Sequence, residues 1–267
     1  KGIAQFFKKY NFVVVNVLTD GECQATTNEI FSILEKKSKK KTFDRNKPET
    51  WSDWNPNSVE GYGQVQYEPI FLEQFLRNRS NPRILSVAKE LLQTNDILSG
   101  HDRCAMYRPV LLNSSWETKP NLHLDMNPYS YLRNDPSIKT QRESLAYHQL
   151  SNFIRENNLI ISEDGIAIQG VLNLRDNLVE DGGFICVPGF VKKFKDFFDE
   201  KKSSIRSSYT FSLKNKDPLL YHRVPVKKGS VIFWDQRLPH GSLPNQSTNY
   251  RMVQFLKYQP TIKNSLR

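Results

Sequence analysis

The segment Lys119–Tyr129, KPNLHLDMNPY, decides the fold. Pro120 precedes a short alternating run and Asn127-Pro128 follows it, so turn-forming residues bracket a predicted strand. Alternate side chains of a strand share a face, which sets His123 beside Asp125 and sends Leu124 the other way. An imidazole next to a carboxylate suits two ligands of one metal ion, or a hydrogen-bonded pair within a core. His-x-Asp alone does not choose between them.

Outward from this segment the same character recurs. GHDRCAMYRPVLL, DGIAIQGVLNL, GGFICVPG, SVIFWDQ and YRMVQFLKY are short apolar or alternating runs separated by Gly, Pro, Asn and Asp. Such spacing predicts an antiparallel sandwich or barrel over about residues 98–260. The N-terminal part, about 1–97, reads differently: a short helix, a strand at Phe12–Val17, a helix over about 22–37 capped by Asp20, and helices near 69–77 and 81–95. Asn81-Pro82 is a cap followed by a first-turn proline. Residues 42–67 read as loop, and neither a repeat nor a domain boundary appears. The expectation is one domain over 1–267, mainly β with flanking helices (α+β). A helical insertion at about 134–164, with Leu145, His148 and Phe153 along its helix, is placed to act as a lid. A second, lysine-rich helix at 190–202 turns Phe190, Phe194 and Phe197 or Phe198 to one side.

Composition narrows the class. With 38% hydrophobic and 12% aromatic residues in 267, the chain can bury a substantial core. No apolar run is long enough to span a membrane. Cys23, Cys104 and Cys186 are odd in number and far apart, which argues against a disulfide framework and for buried thiols in a reducing compartment. An intracellular, cytoplasmic location is expected; because the chain opens at Lys1, an upstream targeting segment stays open. Net charge is +10, and the densest basic run, EKKSKKKTFDRNK at 35–47, has no aromatics among its clustered lysines and no nucleic-acid motif. It reads as a solvated surface; nucleic acid is not the expected partner, and the charge points to an anionic small molecule.

A metal needs a third ligand. His240 closes the segment GSVIFWDQRLPH, at the exit of a strand. Eleven residues on, Arg251 opens YRMVQFLKY and shares a face with Val253 and Phe255. A guanidinium in an apolar row cannot shed its charge, and its natural partner is a carboxylate held in bidentate fashion. With no protein carboxylate indicated, a ligand is the candidate partner.

His123-x-Asp125, then His240, then Arg251 resembles the phytanoyl-CoA dioxygenase-like family of Fe(II)/2-oxoglutarate oxygenases. FFKKYNFVVVNVLTDGE (6–22), NLRDNLVEDGGFICVPGF (173–190) and KKGSVIFWDQRLPHGSLPN (227–245) are similar to further family segments in the same order, so the resemblance runs from about 5 to 258. It implies a double-stranded β-helix (jelly-roll, cupin-like) core buttressed by N-terminal helices. It also implies that His123, Asp125 and His240 bind Fe(II) as a facial triad, leaving positions for 2-oxoglutarate and O2. Arg251 would anchor the far carboxylate of 2-oxoglutarate, with Tyr107 donating to it. The outcome implied is hydroxylation of a small-molecule, acyl or lipid-like substrate with release of succinate and CO2. Related halogenases carry a small residue in place of the carboxylate, so Asp125 favours hydroxylation.

Other residues carry weaker signals. His101, on the face of Tyr107 and Arg103, and the tryptophans Trp116 and Trp234 are candidates for the substrate pocket, or for core. His148 and His222 read as packing or surface residues, and Ser242 and Asn245 as shaping the turn after His240. Two alternatives stay open: an oxygenase acting on a nucleic acid or protein, and a catalytically inactive jelly-roll binding module.

Overall fold

A computed structural model describes residues 2–54, 60–65, 71–126, 128, 167–200, 208–213 and 220–261. The expected insertion at 134–164, with Leu145, His148 and Phe153, lies outside them. Helix α1 (Gly2–Tyr10) stops at Asn11, which takes the left-handed conformation at φ 66° and turns the chain into strand β1 (Phe12–Asn16). Helix α2 (Asp20–Lys37) begins at Asp20 itself, so its cap lies one residue before the Asp20 cap expected from sequence. Thr19 is its cap, in a reciprocal capping box with Glu22. Glu22 also takes Asn81 and Arg83 from the start of α4 (Pro82–Leu92), locking the two helices together. Between them lies α3 (Glu73–Arg79). No described helix is long and apolar enough to cross a membrane.

Eleven more described strands follow β1. They are β2 (Gln64–Val65), β3 (Ile97–Ser99), β4 (Cys104–Tyr107), β5 (Asn121–Leu124), β6 (Ile168–Asn173) and β7 (Gly183–Cys186). The remainder are β8 (Tyr209–Thr210), β9 (His222–Arg223), β10 (Ser230–Asp235), β11 (His240–Leu243) and β12 (Arg251–Pro260). All pair antiparallel, in a seven-stranded sheet of order β1-β10-β6-β12-β4-β2 with β3 on β12, and a five-stranded sheet of order β8-β5-β11-β7-β9. From β4 to β7, and again from β10 to β12, the chain passes from one sheet to the other at each strand.

Period-two alternation divides each sheet into two faces. On β12, Met252, Leu256 and Tyr258 meet Phe75, Ile84 and Leu91 of the helices in one core. Two polar pins fix that layer: Tyr258 donates to the carbonyl of Arg79 at 2.7 Å, and Gln254 both accepts from Asn78 at 2.8 Å and donates to the Phe75 carbonyl at 3.2 Å. The opposite face of β12 turns Arg251, Val253 and Phe255 toward the second sheet, as their spacing predicts. The far side of the second sheet is closed by an aromatic cluster in which Phe190, Phe194 and Phe198, from a 3-10 turn and α5 (Phe194–Glu200), pack with Leu122, Leu124, Ile185 and Phe211. The second phenylalanine helix is therefore a cover for the sheet.

The three thiols are buried and free; burial pushes Cys23 up to about 11 and Cys186 up to about 12, and raises Cys104 as well. The lysine-rich run is solvent-facing but fixed. Asp53 accepts the backbone amides of Lys40 at 2.8 Å and Thr42 at 2.7 Å. Burial raises this carboxyl, yet those amides and the Thr42 hydroxyl, 2.9 Å away, outweigh it and hold Asp53 at about 2. Asp53→Ala is expected to cost about 1–3 kcal/mol in urea melts near neutral pH, because buried donors lose their acceptor. A depressed carboxylate stabilises above its unfolded value, so the gap between wild type and variant should narrow as pH falls from about 4 to about 2.

Candidate metal centre and its cleft

Pairing of β5 with β11 aligns His123 directly with His240. Their ring centroids lie 4.7 Å apart. His240 opens β11, one turn after β10 ends, where the sequence expectation had it leaving the preceding strand. Asp125 follows the end of β5 and turns back to both imidazoles: Nε2 of His123 is 3.1 Å from Oδ1, and Nε2 of His240 is 3.4 Å from Oδ2. One ligand atom from each of the three residues falls within 4.8 Å of the others. Among the described residues, no other group of three His, Cys, Asp or Glu side chains is so placed.

Each member is held in a usable state. Nδ1 of His240 donates to the Leu238 carbonyl at 2.9 Å, which keeps its proton there and aims the Nε2 lone pair into the cluster. The His240 ring packs on Trp234 at 4.7 Å between centroids. The cleft around Asp125 works to raise its carboxyl, although half of the side chain stays exposed, but its contacts with the imidazoles of His123 and His240 dominate and hold it well below the usual carboxylate range. Gln169, on β6 of the facing sheet, donates to Oδ2 of Asp125 at 2.6 Å.

The cluster lines a cleft of about 510 Å³ between the sheets, together with Tyr107, Trp234, Ser242 and Arg251. Arg251 is 3% exposed. Its Nη1 donates to Ser242 Oγ at 3.3 Å and its guanidinium lies 4.4 Å over the Tyr107 ring, while Nε is buried without a partner. Burial lowers its pKa, with Tyr107 and Asp181 opposing. Gly183, at φ 104°, makes room for this side chain, since a Cβ there would stand 3.0 Å from Nε. Arg251 therefore faces the cleft with hydrogen-bonding capacity to spare.

Four of the residues expected at the site thus line one cleft with Tyr107 and Trp234. These four are His123, Asp125, His240 and Arg251. Two others do not line it. β4 starts only at Cys104, so His101 sits in the preceding loop, exposed, with its ring 5.2 Å from Phe71. Trp116 closes a 3-10 turn and is buried with the helices, its Nε1 donating to Ser52. His222 is an exposed residue of β9, and Asn245 shapes its turn by accepting from Ser247, both as expected. Ser242 is not in the turn expected after His240: it lies within β11, paired with Asn121 and Phe184, and accepts from Arg251. Gln169 has no distinguishing local signal: it shares its strand face with Val171 and Asn173, a mix that does not mark a site.

A family model described as phytanoyl-CoA dioxygenase (PhyH) matches residues 12–253. The chain belongs to the phytanoyl-CoA dioxygenase family. A Dictyostelium discoideum protein named for phytanoyl-CoA dioxygenase is 42% identical over 98% of this chain and 76% of its own length. Ava biosynthesis cluster protein O of Aspergillus versicolor is 22% identical over 82% of this chain and 64% of its own. Among solved structures, the epimerase SnoN in complex with Fe3+, α-ketoglutarate and nogalamycin RO aligns with a TM-score of 0.62 at 15% identity, covering 97% of this chain and 82% of that one. HygX from Streptomyces hygroscopicus, with nickel and 2-oxoglutarate bound, aligns at 0.59 and 15% identity, covering 100% and 89%. At such identities the likeness establishes a shared fold.

A buried cation without a carboxylate is costly to fold around. Arg251→Met, which keeps length and removes charge, is expected to melt no lower than wild type and to gain up to about 2 kcal/mol. A drop of several degrees in thermal melts would show that Tyr107 and Ser242 satisfy the guanidinium by themselves.

Proposed function

We propose that this member of the phytanoyl-CoA dioxygenase family is an iron(II)- and 2-oxoglutarate-dependent oxygenase with a double-stranded β-helix core in a single domain. The observation that carries the proposal is the convergence of two imidazole Nε2 atoms and one carboxylate in the cleft that also receives an under-partnered guanidinium. The donor set fits the group: two neutral nitrogens and one anionic oxygen suit a ferrous ion bound on one face. His123 and His240 would hold the ion through Nε2 and Asp125 through its carboxylate. When bound, iron and 2-oxoglutarate would, with O2 as the oxidant, supply oxidative decarboxylation to succinate and CO2, one oxygen atom passing to succinate and the other to a substrate C–H bond.

The chain's own contribution is binding, orientation and exclusion of water. Arg251, with Ser242 beside it, takes the distal carboxylate of 2-oxoglutarate in a charge-assisted pair, and Tyr107 backs the guanidinium. Leu238 fixes the tautomer of His240. Trp234 and Phe184, 4.8 Å apart, pack against the His240 ring and keep bulk water off it. The substrate class proposed is a small or lipid-like molecule, and the reaction is hydroxylation, in keeping with a carboxylate at Asp125.

Succinate release with iron(II), 2-oxoglutarate and oxygen is the direct test. Asp125→Ala is expected to abolish it without unfolding the protein. Arg251→Met should raise the Kd for 2-oxoglutarate about 30-fold, the equivalent of roughly 2 kcal/mol for a lost charge-assisted pair. If wild type neither gains thermal stability from metal plus 2-oxoglutarate nor forms succinate, the oxygenase proposal fails and a binding module takes its place.

A further inference from the structure

The carboxylate of Asp125 is reached from the opposite sheet. Gln169 on β6 sits directly across from Trp234 on β10 in the antiparallel register. Trp234 donates its indole Nε1–H to Gln169 Oε1 at 3.2 Å, and Gln169 donates Nε2–H to Asp125 Oδ2 at 2.6 Å. An indole nitrogen only donates and an ionised carboxylate only accepts. Both ends therefore demand the same orientation of the Gln169 amide, with oxygen toward Trp234 and nitrogen toward Asp125.

Asp125 needs such a constraint. It stands just past the end of β5, outside the ladder, and its side chain is 51% exposed. The terminal torsion of an aspartate is broad, so nothing in its own backbone fixes the carboxylate plane. Trp234 meets a second ligand as well: its ring packs 4.7 Å from that of His240. One buried indole thus packs its ring, tilted by 43°, against His240 and, through Gln169, is linked to Asp125 by its N–H.

We propose that Trp234 and Gln169 form a positioning relay that sets the Asp125 carboxylate for metal binding. The relay rests on the metal reading of the triad given above. Neither residue is a ligand. Their effect is to pre-orient an exposed aspartate, so that an ion is not required to order it on arrival.

The test is titration of the metal-free protein with cobalt(II) alone, followed by calorimetry, with no turnover required. Gln169→Met, similar in length and without a donor, should weaken cobalt affinity about 10-fold or more. Trp234→Phe retains a ring against His240 but loses the N–H, and should weaken it in the same direction. Because the two residues act through one chain of bonds, the double variant should be no weaker than Gln169→Met by itself. Melting curves of the metal-free variants establish that each is folded; should Gln169→Met unfold, Trp234→Phe still isolates the N–H. Unchanged affinity in the folded single variants overturns the relay, as does a double variant whose loss is the product of the two single losses. A wild type that does not bind cobalt, or binds it equally well as Asp125→Ala, overturns the triad reading itself and the relay with it.

Discussion

Everything at the site depends on one register. The pairing of β5 with β11 sets His123 opposite His240, although the two are far apart in the chain. A slip by a single residue would carry one imidazole to the far side of the sheet, among Leu122, Leu124 and the phenylalanines. That alternative is opposed by the pattern of the sheet itself. Leu122 and Leu124 are almost fully buried on the aromatic side, and exchanging them for Asn121 and His123 would bury polar groups and expose apolar ones. The hydrophobic cover over the second sheet thereby enforces the position of the histidines on its other side.

Arg251 shows how the first sheet takes part. Its strand gives the even-numbered residues to the helices and the odd-numbered ones to the cleft, so the same alternation that builds the core delivers a charge to the cavity. Helix α3 anchors that strand through Asn78, the Phe75 carbonyl and the Arg79 carbonyl. The N-terminal helices thus support the site without touching it, by holding β12 in place.

Much of this was legible in the chain before any coordinates. Residues 251–258 are mostly apolar and β-prone, which marks a strand, and the triad together with Arg251 is distinctive because its residue types suit one chemistry in one order. The misses have physical causes. Counting back in twos from Tyr107 puts His101 on its face, but the strand begins at Cys104, and period-two reasoning ends where the ladder ends. Trp116 was open to either pocket or core, and a 3-10 turn, which has no strong sequence signature, directs it to the core. Asp20 lost the cap to Thr19 because the cap is decided by the reciprocal bond to Glu22, three residues on, rather than by residue type. Gln169 was invisible for a different reason: its partners come from two other strands in two sheets, and no local pattern records that meeting.

The convergence of His123, Asp125 and His240 on one ion is most directly tested by crystallography of the protein with manganese(II) and 2-oxoglutarate, with anomalous scattering used to place the metal. The expected result is a single anomalous peak bounded by the two Nε2 atoms and the Asp125 carboxylate, with the diacid's distal carboxylate on Arg251. A peak elsewhere, or density for 2-oxoglutarate that leaves Arg251 without a partner, would contradict it.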